Sequence, residues 1–157
     1  MNIRRFHHGE EPKLFNIFHS AIHLIASRDY TNEQVHAWAP SSVDADLWAR
    51  RMRGIKPFVA ELDGELVGYA DVQGDGYIDH FFVSGHHPQQ GIGRALMEAL
   101  EAEAARLGLQ ELTSDVSVTA QPFFEHFGFL VVQHQRPVID GVEMLNARMR
   151  KLLRAGF

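Results

Sequence analysis

The first third of the chain carries apolar residues at helical spacing. Between residues 11 and 30 they recur at every third or fourth position, which predicts one face of a helix. Thr31 stands ahead of Glu33 and Gln34, and Pro40 follows, so residues 31–40 predict a short capped helix. Residues 42–52 predict another helix, and residues 2–6 a short strand before all of them.

From residue 57 onward the pattern changes to the alternation that is typical of strands. Residues 57–62 and 65–72 flank Asp63-Gly64, a strong hairpin signal, and a second turn at 73–76 leads into residues 77–83. These segments predict a three-stranded antiparallel meander. In the last strand, alternation places Tyr77, Asp79, Phe81 and Val83 on one face and Ile78, His80 and Phe82 on the other.

The second half of the chain alternates between helix and strand. A helix is predicted from Gly91 to about Leu107, a strand over 109–117 and a short helix over 119–128. Residues 129–138 and 142–152 predict a last hairpin around Asp140 and Gly141. The order predicts an α/β fold of the α+β type: a mixed, mostly antiparallel sheet with a central βαβ unit and helices on both faces. We expect one domain over residues 1–157.

Composition excludes several classes of function but says little about the fold. Fifteen Lys plus Arg against twenty Asp plus Glu give a net charge of −5, which disfavours a nucleic-acid binder. The absence of cysteine excludes a disulfide scaffold, a cysteine nucleophile and thiolate zinc sites. No apolar run approaches the roughly 18 residues of a membrane span, and the N-terminus lacks the apolar core of a signal peptide, so we expect a cytoplasmic protein without a membrane partner.

The sequence "PQQGIGRAL" opens the predicted central helix with two glycines, each of which costs roughly 0.5–1 kcal/mol inside a helix. Bare backbone there would expose N–H groups and the positive end of the helix dipole to a phosphate. The simpler interpretation is that Gly91 and Gly93 relieve crowding between helix and sheet. A dinucleotide-binding fold is a poorer match, because Leu96 stands where the third glycine is needed, and no Gly-Lys-Ser/Thr follows for a P-loop.

Taken with "IDHFFVSGHHPQQGIGRALMEALEAEAARLGL" and "SVTAQPFFEHFGF", this context resembles the GCN5-related N-acetyltransferase (GNAT) family over about residues 57–150. The resemblance implies the GNAT fold, acetyl-CoA as co-substrate, no metal, and a small-molecule or peptide primary amine as acceptor. It implies that the pyrophosphate is held by backbone N–H groups of Gln89, Gln90, Gly91, Ile92, Gly93 and Arg94. The pantetheine arm would pair with the strand end at Phe81, Phe82 and Val83, and the other wall would be Ser117, Ala120, Phe123 and Phe124.

Two residues depart from the family pattern. Pro88 stands where Gln or Arg is usual, so one N–H donor is lost. Phe124 stands where many members carry a tyrosine thought to protonate the departing thiolate, and phenylalanine has no proton to give. Water or another group then supplies the proton, or the thiolate leaves without one. Phe124 also favours an alternative function, a non-catalytic acyl-CoA sensor or partner module on the same fold.

Amine acetylation requires a base for the substrate ammonium and a donor for the thioester oxygen. Asp79 is the first candidate base and His80 the second, with Tyr77 on the face of Asp79; each also has a structural interpretation, as an ion-paired carboxylate or a packed core histidine. Asp115, on the adjoining strand, is the third candidate base. The backbone N–H of Phe82 or Val83 is the expected donor to the carbonyl oxygen.

The acceptor site is the least readable part of the sequence. By the resemblance, residues 11–53 cover the acceptor end, and we assign Tyr30, Trp38 and Asp115 to substrate binding. His19 and His23 have the four-residue spacing of some metal ligands, but no matching Glu-containing motif accompanies them, so we expect a packed or surface pair. The basic stretch 49–57 would attract the ribose phosphate of coenzyme A or an acidic acceptor, or form a solvated face. The sequence leaves a homodimer open.

Overall fold

The structure is a computed structural model that describes residues 1–154; residues 155–157, the end of the predicted domain, lie outside the described part. It contains ten strands and five α-helices in these 154 residues. The strands are β1 (Asn2–Arg5), β2 (Phe58–Leu62), β3 (Glu65–Ala70), β4 (Tyr77–Ile78), β5 (Phe81–Val83), β6 (Glu111–Ser117), β7 (Leu130–Gln135), β8 (Val138–Ile139), β9 (Val142–Glu143) and β10 (Asn146–Leu152). The helices are α1 (Glu11–Ser20), α2 (Asn32–Trp38), α3 (Ala45–Ile55), α4 (Ile92–Arg106) and α5 (Gln121–His126).

The helix boundaries follow from local chemistry. Thr31 caps α2 and forms a capping box with Gln34, and the Asp44 carboxylate accepts two N–H groups at the start of α3. The long helix predicted over 11–30 is divided, since α1 continues as a π-helical turn at Ala21–Ile25 and a 3₁₀ turn at Ala26–Arg28. At the C-terminal end of α4, Gly108 adopts φ +69°, and the helix ends there as predicted.

Two four-stranded sheets share the segment between residues 77 and 83. The first has the order β1-β2-β3-β5 and is antiparallel throughout. The second has the order β4-β6-β10-β7, in which β4 runs parallel to β6 and the other pairs are antiparallel. The mixed sheet and the central βαβ unit therefore agree with the prediction.

The single strand predicted over 77–83 is wrong. β4 pairs with β6 in the second sheet, whereas β5 pairs with β3 in the first. Between them, the backbone N–H groups of Asp79 and His80 donate to the buried Asp71 carboxylate, at 3.3 and 2.5 Å. The predicted alternation fails for this reason: Ile78 and Phe81, three positions apart, both pack into the same core.

The predicted C-terminal hairpin also needs correction. Asp140 and Gly141 close only the small hairpin between β8 and β9. The long strands β7 and β10 pair with each other outside it, from Gln135 opposite Asn146 onward, with a register shift after Arg148. The β8–β9 hairpin is thus free to project from the sheet and cover one side of the site described below.

Two hydrophobic clusters lie on opposite faces of the first sheet. α4 packs on one face through Ile92, Leu96 and Leu100, all of which are at most 1% exposed. α1 packs on the other face through Leu14 and Ile17, and the helical residues up to α3 join this second cluster. This arrangement confirms helices on both faces. Within residues 1–154 no helix has both the length and the apolar character needed to cross a membrane.

Candidate functional site

The division of the sheets leaves a gap beside β5. β4 and β6 are paired over only two residues, and beyond Ile78 the chain turns to β3 instead of continuing along β6. Asp71 N–H donates to the His80 carbonyl, and Ser84 N–H to the Val67 carbonyl. Because hydrogen-bonded pairs alternate along an antiparallel ladder, the backbone of Phe82 faces β3, and the N–H groups of Phe81 and Val83 face the gap.

The two glycines of the loop have different structural reasons. Gly91 adopts φ +76° at the N-cap of α4, a backbone conformation that side chains rarely tolerate. A Cβ on Gly93 would lie 2.9 Å from the Phe123 ring, so this glycine does relieve crowding. The first helical hydrogen bond runs from Ala95 N–H to the Gly91 carbonyl, which leaves the preceding N–H groups of the helix without an intrahelical acceptor.

The loop and the gap open into one cavity of about 540 Å³, the glycine-loop cavity. Its wall includes the continuous run from His87 to Arg94, the strand β5, and residues of the β6–α5 connection and α5. All residues predicted to hold coenzyme A line this cavity: Phe81, Phe82, Val83, Gln89, Gln90, Gly91, Ile92, Gly93, Arg94, Ser117, Ala120, Phe123 and Phe124. The structure adds Ile25 and Arg28 from the end of the first helical segment, which the sequence did not suggest.

Phe124 fills the base of this cavity and offers no polar atom to it. The side chain is 3% exposed, and its ring meets Phe81 edge-on at 5.5 Å and Phe129 at 5.0 Å between centroids. Such aromatic pairs hold their rings in place through the charge distribution of their faces and edges. The position therefore contributes packing to the site rather than a proton.

A second cavity of about 480 Å³, the aromatic cavity, lies between α3 and the β8–β9 hairpin. Five aromatic side chains line it: Phe18, Tyr30, Trp38, Trp48 and Phe82. One face of α3 contributes Asp44, Leu47, Trp48 and Arg51, which follow helical spacing. Trp38, Phe82 and Ser117 line both cavities, so the two spaces meet at these three residues.

Asp79 is the least constrained carboxylate in the aromatic cavity. Its side chain is 27% exposed, and its partner is Arg51, at 3.4 Å between Oδ2 and Nη2. This distance is long for a charge-assisted hydrogen bond, which normally spans about 2.7–2.9 Å. The carboxylate thus remains able to accept a hydrogen bond or a proton from a molecule in the cavity.

His80 is held differently. Burial lowers the pKa of its imidazole to about 4, against a smaller opposite effect of Asp79, so the ring is neutral near pH 7. Nδ1 lies 2.9 Å from the buried Tyr69 hydroxyl, which has no second partner among the described residues. The Tyr69 proton is therefore assigned to Nδ1, and the neutral ring carries its own proton on Nε2.

His80 lines the aromatic cavity, and its Nε2 atom is the ring nitrogen that does not face Tyr69. Nε2 has no hydrogen-bond partner within residues 1–154, yet no buried side-chain nitrogen or oxygen there lacks one, so this atom keeps some exposure. With its proton on Nε2, His80 offers a hydrogen-bond donor to the cavity.

Comparisons with known proteins agree with this architecture. A family model described as "Acetyltransferase (GNAT) domain" matches residues 26–153. The chain belongs to the GNAT family. It is 33% identical to the uncharacterized N-acetyltransferase YafP of Escherichia coli, over 96% of this chain and 95% of that protein.

Solved GNAT structures extend the agreement. The GCN5-related N-acetyltransferase from Rhodopseudomonas palustris superposes with a TM-score of 0.92 at 31% identity, covering 97% of this chain and 95% of that one. The PaiA N-acetyltransferase of Thermoplasma acidophilum, solved in complex with coenzyme A, gives 0.73 at 16% identity over 97% and 98%, which shows likeness of fold alone. Together these comparisons confirm the predicted fold and an acyl-CoA-dependent N-acetyltransferase as the enzyme class.

The other residues suggested for the GNAT reaction are placed less favourably. Tyr77 lines neither cavity; its hydroxyl donates to Asp115 at 3.0 Å, and burial raises its pKa to about 12. Asp115 lines the aromatic cavity, but its oxygens already accept from Tyr77, Gln135 and Arg148. Burial alone would raise the Asp115 pKa, and these hydrogen bonds, led by that of Arg148, lower it overall. The hydrogen-bonding groups of Tyr77 and Asp115 are therefore already occupied within the protein.

Residues 11–53 contribute more aromatic rings than polar groups to the aromatic cavity. The rings of Tyr30 and Trp38 line the aromatic cavity, but the Tyr30 hydroxyl is occupied by Leu145 O and Val118 N–H. His19 and His23 stack face to face at 3.9 Å, and His23 bonds the Ala39 carbonyl.

The basic stretch 49–57 lies away from the glycine-loop cavity. Within it Arg51 faces Asp79, and Arg53 faces Glu11. It is therefore not placed to meet a ligand in that cavity.

Proposed function

We propose that this protein transfers the acetyl group of acetyl-CoA to a primary amine by direct attack within one ternary complex. The observation that supports this best is the meeting of two unlike cavities at Trp38, Phe82 and Ser117. One cavity offers a row of backbone N–H groups, and the other offers the Asp79 carboxylate, which is held only by a long contact with Arg51. A carrier in the first and an amine in the second would bring their reactive atoms together at the junction.

Acetyl-CoA would occupy the glycine-loop cavity. Its pyrophosphate would lie against the N–H groups from Gln89 to Arg94, where the dipole of α4 favours negative charge. Its amide-rich pantetheine arm would extend β5 at the edge left open by β6, through Val83. The coenzyme A complex of the T. acidophilum relative supports the choice of carrier.

Asp79 would act as the base, directly or through a water molecule. Both of its oxygens make only long contacts with Arg51, at 3.5 and 3.4 Å, whereas the neutral His80 ring carries its proton on Nε2. In this role His80 is a hydrogen-bond donor that positions a substrate or a water, with Tyr69 fixing its tautomer. A positioned carboxylate base typically contributes 10²–10⁴-fold to a rate.

The reaction balances without a metal or a covalent enzyme intermediate. The amine nitrogen forms a bond to the thioester carbonyl carbon, and the carbon–sulfur bond then breaks. The substrate ammonium loses two protons in total: one reaches solvent through Asp79, and one ends on the sulfur of coenzyme A. The N–H of Val83 or Phe81, both facing the gap, would stabilise the negative charge on the carbonyl oxygen; the N–H of Phe82, which faces β3, would not.

Because Phe124 has no proton to give, the departing sulfur would receive its proton from solvent or from a neighbouring hydroxyl. A thiol with a pKa of about 8.5 is a tolerable leaving group even as the thiolate. The Ser117 hydroxyl lies at the junction and accepts the Ala120 N–H, so its own proton is available for donation. Loss of the usual tyrosine is thus compatible with turnover.

Thiol release from acetyl-CoA across a panel of primary amines tests the proposal. For the Asp79→Asn variant we expect kcat to fall by about 100-fold or more, with the Kd for coenzyme A unchanged by calorimetry. Asp63→Asn, in the exposed β2–β3 turn, is the matched control and should behave as wild type.

Two results would count against this mechanism. An Asp79→Asn variant with wild-type kcat would remove Asp79 from the reaction. Coenzyme A binding without turnover on every amine would favour the acyl-CoA sensor instead.

A further inference from the structure

We infer that the acceptor is a hydrophobic α-amino acid, bound as a zwitterion between Asp79 and Arg51 with its side chain against the aromatic wall. The inference rests on the proposed function, because it names the amine that would occupy the aromatic cavity. It follows from three features of that cavity: its charges, its apolar surface and its size.

The cavity presents one loosely paired cation and anion, Arg51 and Asp79. Among the described residues of its wall, Arg51 is the one Arg or Lys, and its side chain is 56% exposed. Of the three carboxylates, Asp44 uses Oδ1 to cap α3, Asp115 is saturated by its neighbours, and Asp79 is the one that contacts Arg51. An occupant that carries one positive and one negative group matches this pair, and any other net charge leaves a member unpaired.

The contact between Arg51 and Asp79 is loose enough to be opened by a ligand. The two side chains approach only to 3.4 Å, and Arg51 has no other hydrogen-bond partner among the described residues. A guanidinium presents a planar fork of donors that fits a carboxylate with two parallel hydrogen bonds. The carboxylate of an α-amino acid would bind Arg51, and its ammonium group would bind Asp79. The ammonium is also the group that must lose protons in the reaction.

The remaining wall is apolar. Trp38, Trp48 and Phe82 provide flat surfaces, and Ile139, Met144 and Pro137 close the opposite side. Val43, Leu47 and Leu145 also line the cavity and remain 38%, 59% and 47% exposed, so apolar surface continues toward solvent. A volume of about 480 Å³ is within the range of small-molecule sites and suits a free amino acid with a large side chain.

Other amines match less well. A polyamine would bring several ammonium groups to a wall in which Arg51 carries the same charge. A simple alkylamine or arylalkylamine would satisfy Asp79 but would separate Arg51 from its partner without replacing it. A small amino acid such as alanine would leave the aromatic wall uncovered.

Intrinsic fluorescence provides a direct binding test that needs no turnover. The chain contains two tryptophans, Trp38 and Trp48, and both line the aromatic cavity. Titration of the full chain with L-phenylalanine, which does not absorb at the excitation wavelength for tryptophan, should give a saturable change. Phenethylamine, L-alanine and spermidine should each need at least about tenfold higher concentration, which corresponds to about 1.4 kcal/mol.

Variants then assign the carboxylate to Arg51. Arg51→Gln should raise the Kd and KM for L-phenylalanine by about tenfold or more and leave those for phenethylamine unchanged or lower. Arg50→Gln is the matched control, because Arg50 is the exposed neighbour on the same helix and lines neither cavity.

The outcomes separate this inference from the proposed function. If phenethylamine or spermidine is bound and acetylated better than L-phenylalanine, or if Arg51→Gln affects L-phenylalanine and phenethylamine equally, the amino-acid acceptor is wrong while the N-acetyltransferase stands. If L-phenylalanine binds through Arg51 but no amine releases thiol, the site is correct and the reaction is wrong. An absence of any fluorescence change with L-phenylalanine, with and without coenzyme A, overturns the inference.

Discussion

The glycine-loop cavity takes much of its wall from one continuous stretch of chain, residues 87–94, together with the open edge of β5. The aromatic cavity instead collects side chains from α1, α2, α3, the β4–β5 connection, β6 and the β8–β9 hairpin. In the first cavity the proposed phosphate-binding groups are backbone N–H groups, which every residue except proline possesses. In the second, each function depends on the identity of one side chain and on its position in the fold.

This difference separates what is general in the enzyme from what is particular to it. A backbone cradle binds the same phosphate group whatever the neighbouring side chains are, provided that the loop keeps its conformation. A wall of side chains can select one amine from another. We therefore expect substitutions to divide sharply between the two cavities.

Asp71→Asn is expected to have the largest effect, because the buried Asp71 carboxylate accepts both N–H groups of the turn that separates the two sheets. Burial raises the pKa of Asp71 from 3.8 to about 6 in the folded protein. Asp71 therefore holds its proton to higher pH in the folded state than in the unfolded state. The contribution of this proton to the free energy of unfolding is present below about pH 4 and is lost as the pH rises through about 6. The shift corresponds to about 3 kcal/mol.

Urea unfolding of wild type and Asp71→Asn at pH 4 and pH 7 measures this effect. The free energy of unfolding of wild type relative to the variant should decrease by about 2 kcal/mol between the two pH values, since asparagine does not titrate. A difference that is the same at both pH values would show that Asp71 does not titrate as the structure indicates. Coenzyme A affinity at pH 7 should change little, because Asp71 lies outside the glycine-loop cavity.

Gly93→Ala should weaken the backbone cradle through shape alone. The added Cβ would approach the Phe123 ring to 2.9 Å, and overpacking of this kind costs about 1–3 kcal/mol. We expect the Kd for coenzyme A to rise about tenfold by calorimetry. Gly54→Ala, in α3 with no atom within 4 Å of the new Cβ, is the control and should leave this Kd unchanged. Equal Kd values for Gly93→Ala and wild type would mean that the loop is less tightly packed than the contact with Phe123 implies.

Gln90→Ala is expected to have the smallest effect. The exposed side chain is removed, but the backbone N–H group that we propose as a phosphate donor remains. The Kd for coenzyme A should stay within about threefold of wild type, which is less than about 0.7 kcal/mol. A tenfold loss would show that side chains, not backbone, provide the affinity, and the contrast between the two cavities would then disappear.

The same contrast explains which parts of the molecule could be predicted from the sequence. The loop "PQQGIG" is local, so its order in the chain fixes its place before α4, and the predicted cofactor residues line one cavity. The helices and most strands followed from periodicity and caps. The break between β4 and β5 did not, because it depends on Asp71 reaching across to Asp79 and His80. A polar residue directly after the buried run of β3 was the available signal.

The aromatic cavity was far less predictable. Arg51 was noted only as part of a basic stretch, and its role depends on Asp79, which is 28 positions away. Its spacing from Asp44 and Trp48 along one face of α3 could have indicated a shared wall. The pairing of Tyr69 with His80 could not be read from alternation, since the alternation fails at His80. Tertiary contacts, not propensity, set these positions.

In the proposed ternary complex, Trp38, Phe82 and Ser117 would also limit the length of the transferable group. Because they border both cavities, an acyl chain longer than acetyl would extend past them and displace the incoming amine. Propionyl or butyryl thioesters should therefore still be held by their nucleotide end while becoming inhibitors that compete with the acceptor. Selectivity for the length of the acyl chain would then arise in the aromatic cavity, where a longer chain competes with the amine, and would need no separate acyl-binding pocket.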